Sequence, residues 1–375
     1  MVLAVAAVAA VLLCQALLVR SQFEGHWNAL FYTGDYYSVP DDLARSTYVH
    51  RGSTGYDAQF YRYLAHDPWI SNYSTSYDDA RLRCRRILLP ALAHALALGR
   101  RDWIDAAYIA VVALGLALGV YWSAMHVASF GAAPVWGLLF LAMPGPLTSI
   151  TRLLLDGLAT ALFAGFIVAA ESGSFASACI VACLAALNRE TGLILVAALA
   201  GSELLQRRYR QAAIAAASAV PALCWFAYVA ARTEPSRAGF VFDRPIYGLA
   251  LRLLSSLPLH PSSLFDAIAR SVDAVSVLGL LATLAFGLFF ATTAKRSPVS
   301  IAVFLFAALG LMLGHEAHLA EAIGFGRPVS PLFLYVFFQA LRDARWPGVF
   351  STLTLAPAVL LSPVYRVSRW LVGLD

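Results

Sequence analysis

The stretch WIDAAYIAVVALGLALGVYWSAMHV, residues 103–127, decides the fold class of this chain. Asp105 is the one Asp, Glu, Lys or Arg residue in it, and it contains no proline. A helix needs roughly 20 mainly apolar residues to cross the hydrocarbon core of a bilayer. The stretch therefore predicts a transmembrane helix.

The whole chain shares this character. Of its 375 residues, 60% are hydrophobic and 13% are charged, whereas soluble domains are about 45–50% apolar and about 25% charged. The composition predicts an all-α integral membrane protein, a single polytopic domain of residues 1–375 in a lipid bilayer. It excludes a soluble enzyme. The net charge of +5 is typical of basic loops beside membrane helices, so no nucleic-acid partner is predicted.

The apolar runs predict about eleven transmembrane helices. They cover residues 2–19, 103–127, 132–149, 153–170, 175–187, 192–205, 212–231, 267–292, 299–313, 329–340 and 349–361. Because Lys and Arg collect in cytoplasmic loops, three basic clusters are predicted to lie inside: residues 207–210, 295–296 and 342–345.

One further apolar run, residues 87–98, is too short to cross the bilayer comfortably and is predicted to lie at the interface. This arrangement places Asp156 outside, together with the first loop. The alternative is that residues 87–98 cross the membrane and residues 175–205 form one helix. Asp156 then moves to the cytoplasmic side.

Two polar segments are predicted to be extracytoplasmic loops, residues 20–102 and residues 232–265. Positions 20–85 hold eight of the chain's 22 acidic residues and nine of its 16 tyrosines. Linkers are poor in aromatic residues. The first loop is therefore predicted to be folded and to carry short interfacial helices.

The sequence GYDAQFYRYLAHDP, residues 55–68, is the most informative part of this loop. Gly55 permits a sharp entry and Pro68 prevents continuation, so a short helix is predicted between them. Helical spacing places Asp57 and Tyr61 on one face. Asp57 is a candidate catalytic base, and the alternative is that it only caps the helix.

Arginines and a second acid are candidates for substrate contacts. Arg83 and Arg86 belong to a run of arginines before residue 87, at the depth of lipid phosphates; the alternative is a surface anchor. Asp156 lies at the start of an apolar helix, where an acid is costly unless it is solvated or paired. The alternative is a charge that only complements the helix dipole.

Two more positions interrupt apolar sequence. Arg189 and Glu190 lie at the predicted tip of a helical hairpin, and the alternative is that they pair with each other. Arg327 follows Gly326 in a predicted turn at the outer end of a helix, where it either contacts phosphate or anchors the surface.

A metal site is not predicted. His315, Glu316 and His318 are close in sequence, but the zinc-binding pattern on a helix needs one more residue between the histidines. A divalent metal stays open as an alternative.

The loop resembles a known group of enzymes. After one N-terminal span, the pattern Asp-x-x-x-Tyr-x-x-x-Ala at Asp57, Tyr61 and Ala65 resembles the first loop of the GT-C superfamily of membrane glycosyltransferases. The stretch Gly-Tyr-Asp-x-Gln-Phe-Tyr, followed later by Arg-Arg-Ile-Leu-Leu-Pro at 85–90, is similar to bacterial mannosyltransferase-like members. The resemblance covers roughly the N-terminal half of the chain.

The resemblance implies a function and a set of roles. The protein would transfer a sugar from a polyprenyl-phosphate donor to a glycan or lipid acceptor, at the outer face of a bacterial inner membrane and with no required cofactor. Asp57 would be the base and Asp156 would position the substrate. The phosphate and sugar would be held by Arg83, Arg86, Arg189, Glu190, Arg327, Gln59, Tyr56 and Tyr61.

Two other functions remain open. A transporter or flippase of a lipid-linked saccharide also needs outer arginines and aromatic residues, but we find no internal repeat of the kind many transporters carry. An inactive subunit of a glycan-assembly complex is the other alternative.

Overall fold

The structure is a computed structural model, which describes residues 1–236, 244–256, 264–293, 297–314 and 322–371. Its α-helices are α1 (Val2–Gln22), α2 (Asp41–Ala44), α3 (Ala58–His66), α4 (Ala80–Arg83), α5 (Leu88–Leu96), α6 (Arg101–Ser129), α7 (Pro144–Arg152), α8 (Asp156–Glu171), α9 (Phe175–Asn188), α10 (Leu193–Leu205), α11 (Tyr209–Ala217), α12 (Val220–Arg232), α13 (Tyr247–Ser256), α14 (Leu264–Thr293), α15 (Pro298–Leu311), α16 (Ala322–Gly326), α17 (Ser330–Arg342), α18 (Trp346–Leu353) and α19 (Leu355–Leu371). Short 3₁₀ segments cover Trp27–Phe31, Ser74–Ser76, Pro134–Ala142 and Glu190–Gly192. The described residues contain no strand, so the all-α prediction is confirmed.

The predicted number of membrane helices is wrong. Within the described residues, four segments are long and apolar enough to cross a membrane: Val2–Gln22, Arg101–Ser129, Tyr209–Arg232 and Asp266–Thr293. The segments Pro134–Ala142 and Pro144–Arg152 meet at an angle of 62°, and together they make a fifth span if they are counted as one broken helix. These long apolar helices indicate a membrane protein, but not one with eleven spans.

The error arises because buried helices and membrane helices have similar compositions. Helices α8, α9 and α10 have 16, 14 and 13 residues, which is about 20–24 Å and too short for roughly 30 Å of hydrocarbon. In α17, ten of 13 residues are buried against other parts of the protein. A helix that is apolar all round because protein covers it gives the same sequence signal as one that lipid covers.

Helices α8 and α9 define two ends of the molecule. Helix α8 runs from Asp156 to Glu171, and α9 returns from Phe175 to Asn188. The Asn188 side chain donates a hydrogen bond to the Leu155 carbonyl at 3.1 Å, which ties the start of α8 to the end of α9. We call the end with Asp156 and Asn188 the loop end and the end with Glu171 and Phe175 the far end.

The first loop packs at the loop end and contains short helices, α2 to α5. Helix α5 has nine residues and is too short to span a membrane. It buries Leu89 and Ala93 and leaves Leu92 and Leu96 exposed. One buried and one exposed apolar face is the pattern expected of a helix at a membrane interface. In the second predicted loop the structure describes α13, whereas residues 237–243 and 257–263 lie outside the described residues.

Just before Asp57, the backbone at Gly55 and Tyr56 crosses closely over the backbone at Tyr32 and Gly34. The Tyr56 N–H donates to the Tyr32 carbonyl at 2.9 Å. Gly55 has φ +73°, and a Cβ there would lie 2.6 Å from both Gly34 N and Tyr32 O. Only glycine combines the left-handed backbone with the absence of a side chain that this crossing requires.

We expect Gly55→Ala to lower the free energy of unfolding by about 2–5 kcal/mol, since the left-handed backbone costs an alanine about 1–2 kcal/mol and overpacking adds about 1–3. Gly52 is the matched control, because it has φ +64° and open space where a Cβ would be placed. Gly52→Ala should cost only about 1 kcal/mol. Thermal unfolding of both variants in detergent measures the difference, and equal losses would contradict the crossing.

Candidate active site

Asp57 lies directly before α3, and its side chain faces arginines rather than the helix. It makes no capping hydrogen bond to α3, so the capping alternative is wrong. Its Oδ1 lies 3.1 Å from Arg83 Nη1, and its Oδ2 lies 2.7 Å from Arg327 Nη2.

Arg327 joins the two candidate acids. Its Nη2 contacts Asp57, and its Nε donates to Asp156 Oδ2 at 2.9 Å. These partners are 270 and 171 residues away in sequence. A planar guanidinium with several fixed donors can hold two carboxylates at once. Asp57 and Asp156 therefore lie at the same end of the molecule, as the first of the two predicted topologies requires.

The turn between α9 and α10 supplies the third carboxylate. Arg189 Nη1 contacts Asp156 Oδ1, and Glu190 Oε2 accepts from Arg86 Nε at 3.0 Å. Arg189 and Glu190 thus each pair with a residue of another element rather than with each other. Arg86 also donates to the Tyr61 hydroxyl.

Seven residues from four parts of the chain make up this site, which we call the carboxylate–arginine cluster: Asp57, Arg83, Arg86, Asp156, Arg189, Glu190 and Arg327. Four guanidiniums and three carboxylates leave one net positive charge. An uncompensated charge in a mostly buried site is costly unless a counter-ion joins it.

Exposure differs sharply within the cluster. The Asp57 side chain is 19% exposed, whereas that of Asp156 is 1% exposed. Burial alone would raise the pKa of Asp57, but the guanidiniums of Arg83, Arg327 and Arg86 outweigh it and hold that pKa well below its ordinary value. The same attraction to Asp57 raises the pKa of Arg327 against the effect of its burial. Asp57 is thus ionised and accessible.

From the sequence, Arg152 was placed near Asp156 but was assigned no role of its own. Its guanidinium lies 4.3 Å from the centre of the Tyr56 ring and 5.3 Å from that of Tyr32. Arg327 lies over the same Tyr56 ring at 5.2 Å. Among the described residues, no carboxylate forms an ion pair with Arg152. Its position four residues before Asp156 is the sequence signal that could have found it.

Sequence reasoning missed Asp78. It pairs with Arg83 through Oδ2 at 2.6 Å, on the side away from Asp57. With Arg152 and Asp78 added, the cluster and its surroundings have five arginines and four acids, so the excess of one positive charge remains.

Two predicted contacts are corrected by the structure. Gln59 is outside the cluster, because its amide accepts from Gly34 N at 3.2 Å and donates to the Thr54 carbonyl at 3.0 Å. The Tyr61 ring is fully buried, so it holds Arg86 through its hydroxyl and does not line an open sugar pocket. Tyr56 is the predicted aromatic residue that lies at the cluster, with its hydroxyl 3.4 Å from Arg327 Nη1.

A second buried ion pair holds the helix that follows Asp57. Arg62 in α3 is 1% exposed and bonds Asp105 of α6 through Nε and Nη2, at 2.9 and 2.8 Å. His66 of α3 contacts the same carboxylate at 3.1 Å. Asp105, the acid in the long apolar stretch, therefore holds α3 against α6 and fixes the position of Asp57.

No group of three or more His, Cys, Asp or Glu side chains that could hold a metal occurs in the described part of the chain. His315, Glu316 and His318 lie outside the described residues. Comparison of the chain with family models, with characterised proteins and with solved structures finds no match.

Proposed function

We propose that this protein is a membrane glycosyltransferase that moves a sugar from a polyprenyl-phosphate donor to a glycan or lipid acceptor, at the outer face of a bacterial inner membrane. The observation that carries the proposal is the carboxylate–arginine cluster, with its buried excess of one positive charge beside the Tyr56 ring. The resemblance of the first loop to the GT-C superfamily supports the same reaction.

The excess charge matches the donor. A phosphodiester between a sugar and a polyprenol carries one negative charge, which would neutralise the cluster. Arginine forks bind phosphate oxygens through paired N–H donors. Arg152 is the first candidate to receive the phosphate, because among the described residues no carboxylate occupies its donors. Arg86, Arg189 and Arg327 would then stabilise the charge that develops on the leaving phosphate.

Asp57 is assigned as the base because the acceptor must reach it. Its carboxylate is partly exposed, whereas Asp156 is closed off and held on both oxygens by Arg327 and Arg189. Asp156 is therefore assigned to orient Arg189 and Arg327. Aromatic faces beside the cluster, those of Tyr56 and Tyr32, offer surfaces for the sugar.

The reaction balances as a substitution at the anomeric carbon. Asp57 takes the proton of the acceptor hydroxyl as the oxygen forms the new glycosidic bond. The bond between the anomeric carbon and the phosphate oxygen breaks. Polyprenyl phosphate leaves with the bonding electrons, and the arginines hold its added negative charge.

The cluster couples donor binding to the base. Arg327 pairs with Asp57 in the free protein, and an arriving phosphate competes with Asp57 for this guanidinium. As this ion pair weakens, the pKa of Asp57 rises from its depressed value toward the range in which a carboxylate is an effective base. The base is thus activated only when the donor is bound.

The decisive experiment is turnover of a defined donor. Purified full-length protein in nanodiscs, given a polyprenyl-phosphate sugar and candidate acceptors, should release free polyprenyl phosphate and form a glycosylated acceptor. A transporter or an inactive subunit would leave the donor intact. An intact donor with every acceptor class, glycan and lipid, would refute the proposed function.

The pH profile should separate the free and the donor-bound protein. Arginines depress the pKa of Asp57 in the free protein. We therefore expect kcat/KM for the donor to stay constant as the pH is lowered to about 4, because the base remains ionised. The acid limb of kcat should lie at higher pH, since donor binding raises the pKa of the base and activity is lost as pH falls through that value. Coincident acid limbs would contradict the competition for Arg327.

A variant of Arg83 tests whether arginines lower the pKa of Asp57 in the free protein. Arg83→Gln removes one of the guanidiniums that depress the pKa of Asp57, so the acid limb of kcat/KM should move upward toward that of kcat. A profile unchanged by this substitution would remove Arg83 from the argument.

A further inference from the structure

A second polar feature lies at the far end, away from the carboxylate–arginine cluster. A cavity of about 520 Å³ is lined there by Phe175, Arg208, Tyr209, Arg210, Gln211 and Ile214. Helix α9 starts at this cavity and ends beside the cluster, and its 14 residues correspond to about 21 Å. The two sites are therefore separate. The cavity is open to the surface of the protein.

The polar lining of this cavity is cationic. Arg208 and Arg210 are exposed, and the nearest acid, Glu203, is 3.7 Å from Arg208 Nη1. No ion pair joins Arg210 to a described carboxylate. The cavity also adjoins the start of α11, where the first backbone N–H groups have no acceptor within the helix and the helix dipole favours an anion. Two independent features thus favour a negatively charged occupant.

The cavity lies where a membrane surface would be. Tyr209 is the first residue of the candidate span Tyr209–Arg232, and exposed tyrosines are typical of the membrane–water interface. Phe175 and Ile214 give the cavity an apolar wall.

We propose that this cavity binds the headgroup of an anionic phospholipid. Arg208 and Arg210 contact its phosphodiester, and Phe175 and Ile214 pack against the glycerol and the upper acyl chains. Basic pockets beside membrane helices recognise lipid headgroups by this combination of charge and apolar contact. The proposal does not depend on glycosyl transfer.

The test is lipid binding to the purified full-length protein, counted by native mass spectrometry during titration with phosphatidylglycerol or phosphatidylcholine. Phosphatidylglycerol should bind more tightly. Because each cation near an anionic lipid contributes about fivefold, Arg208→Gln with Arg210→Gln should weaken its binding about 25-fold. Arg210→Gln alone, which removes no ion pair of the described residues, should weaken it about fivefold and remains usable if the double variant is unstable.

The matched control is Arg342→Gln with Arg345→Gln. Both residues are exposed. They lie at the end of α17, which reaches the far end: the ring of Phe338 in α17 packs 4.6 Å from the ring of His126. His126 in turn contacts Glu171, which belongs to the far end. This variant loses the same two charges outside the cavity, so binding should change less than about twofold. Equal losses in both double variants, equal binding of the two lipids, or displacement of phosphatidylglycerol by excess inorganic phosphate would overturn the proposal.

Discussion

Asp57→Asn is expected to lower kcat for sugar transfer by about a hundredfold to ten-thousandfold, the range in which a general base contributes to catalysis. Asparagine has nearly the same shape but cannot accept the acceptor's proton. The substitution also raises the net charge of the carboxylate–arginine cluster from +1 to +2, so KM for the donor should stay the same or fall. The measurement is the initial rate of polyprenyl phosphate release in nanodiscs at several donor concentrations.

Asp41→Asn is the control for this substitution. Asp41 is an exposed acid of the same loop, in the first turn of α2 and outside the cluster, so its loss should leave kcat and KM unchanged. A kcat for Asp57→Asn within about threefold of wild type would remove Asp57 as the base. A rise in KM without a change in kcat would instead make it a binding residue.

Arg327→Gln is expected to destabilise the protein by about 3–5 kcal/mol, the cost of removing one partner from a buried ion pair. Its side chain is 8% exposed, and its loss leaves Asp156, which is 1% exposed, with Arg189 as its cationic partner in the cluster. Asp57 keeps Arg83. Thermal or denaturant unfolding in detergent measures the loss, and sugar transfer should fall with it because the two acids are no longer joined.

A double variant that removes both partners of the Arg327–Asp57 ion pair distinguishes lost pairing from lost packing. Asp57→Asn together with Arg327→Gln removes one charge of each sign and leaves Asp156 with Arg189 and Arg83 with Asp78. This variant should therefore be more stable than Arg327→Gln alone, although inactive. The control is Arg270, which pairs at the surface of α14 with Asp266, four residues earlier in the chain. Arg270→Gln should lower the free energy of unfolding by no more than about 0.5 kcal/mol. A double variant no more stable than the single one would show that Arg327 acts through packing.

Some residues of the candidate site can be identified from local sequence, whereas their ion-pair partners cannot. Asp156 was identifiable because an acid at the start of an apolar helix is costly without a partner. Asp57 was a candidate because of its place before the short helix of the first loop and because of the resemblance to the GT-C superfamily. Arg327, however, pairs with acids 171 and 270 positions away, and no local pattern specifies such a pairing. Gln59 was misassigned for a related reason, since only the approach of Gly34 and Thr54 reveals that its amide is occupied by the backbone.

Composition and local periodicity determined three properties of this protein: that it is all-helical, that its long apolar helices suit a membrane, and that its first loop is folded. These depend on residues that are near one another in the chain, so they can be read from hydropathy and spacing. Which apolar helices are covered by protein rather than by lipid was decided by the tertiary structure, because Leu, Phe and Ala satisfy both environments equally. The tertiary structure alone also decided the joining of two carboxylates through Arg327 and the excess of positive charge around them, since electrostatic pairing depends on distance in space and not on separation along the chain.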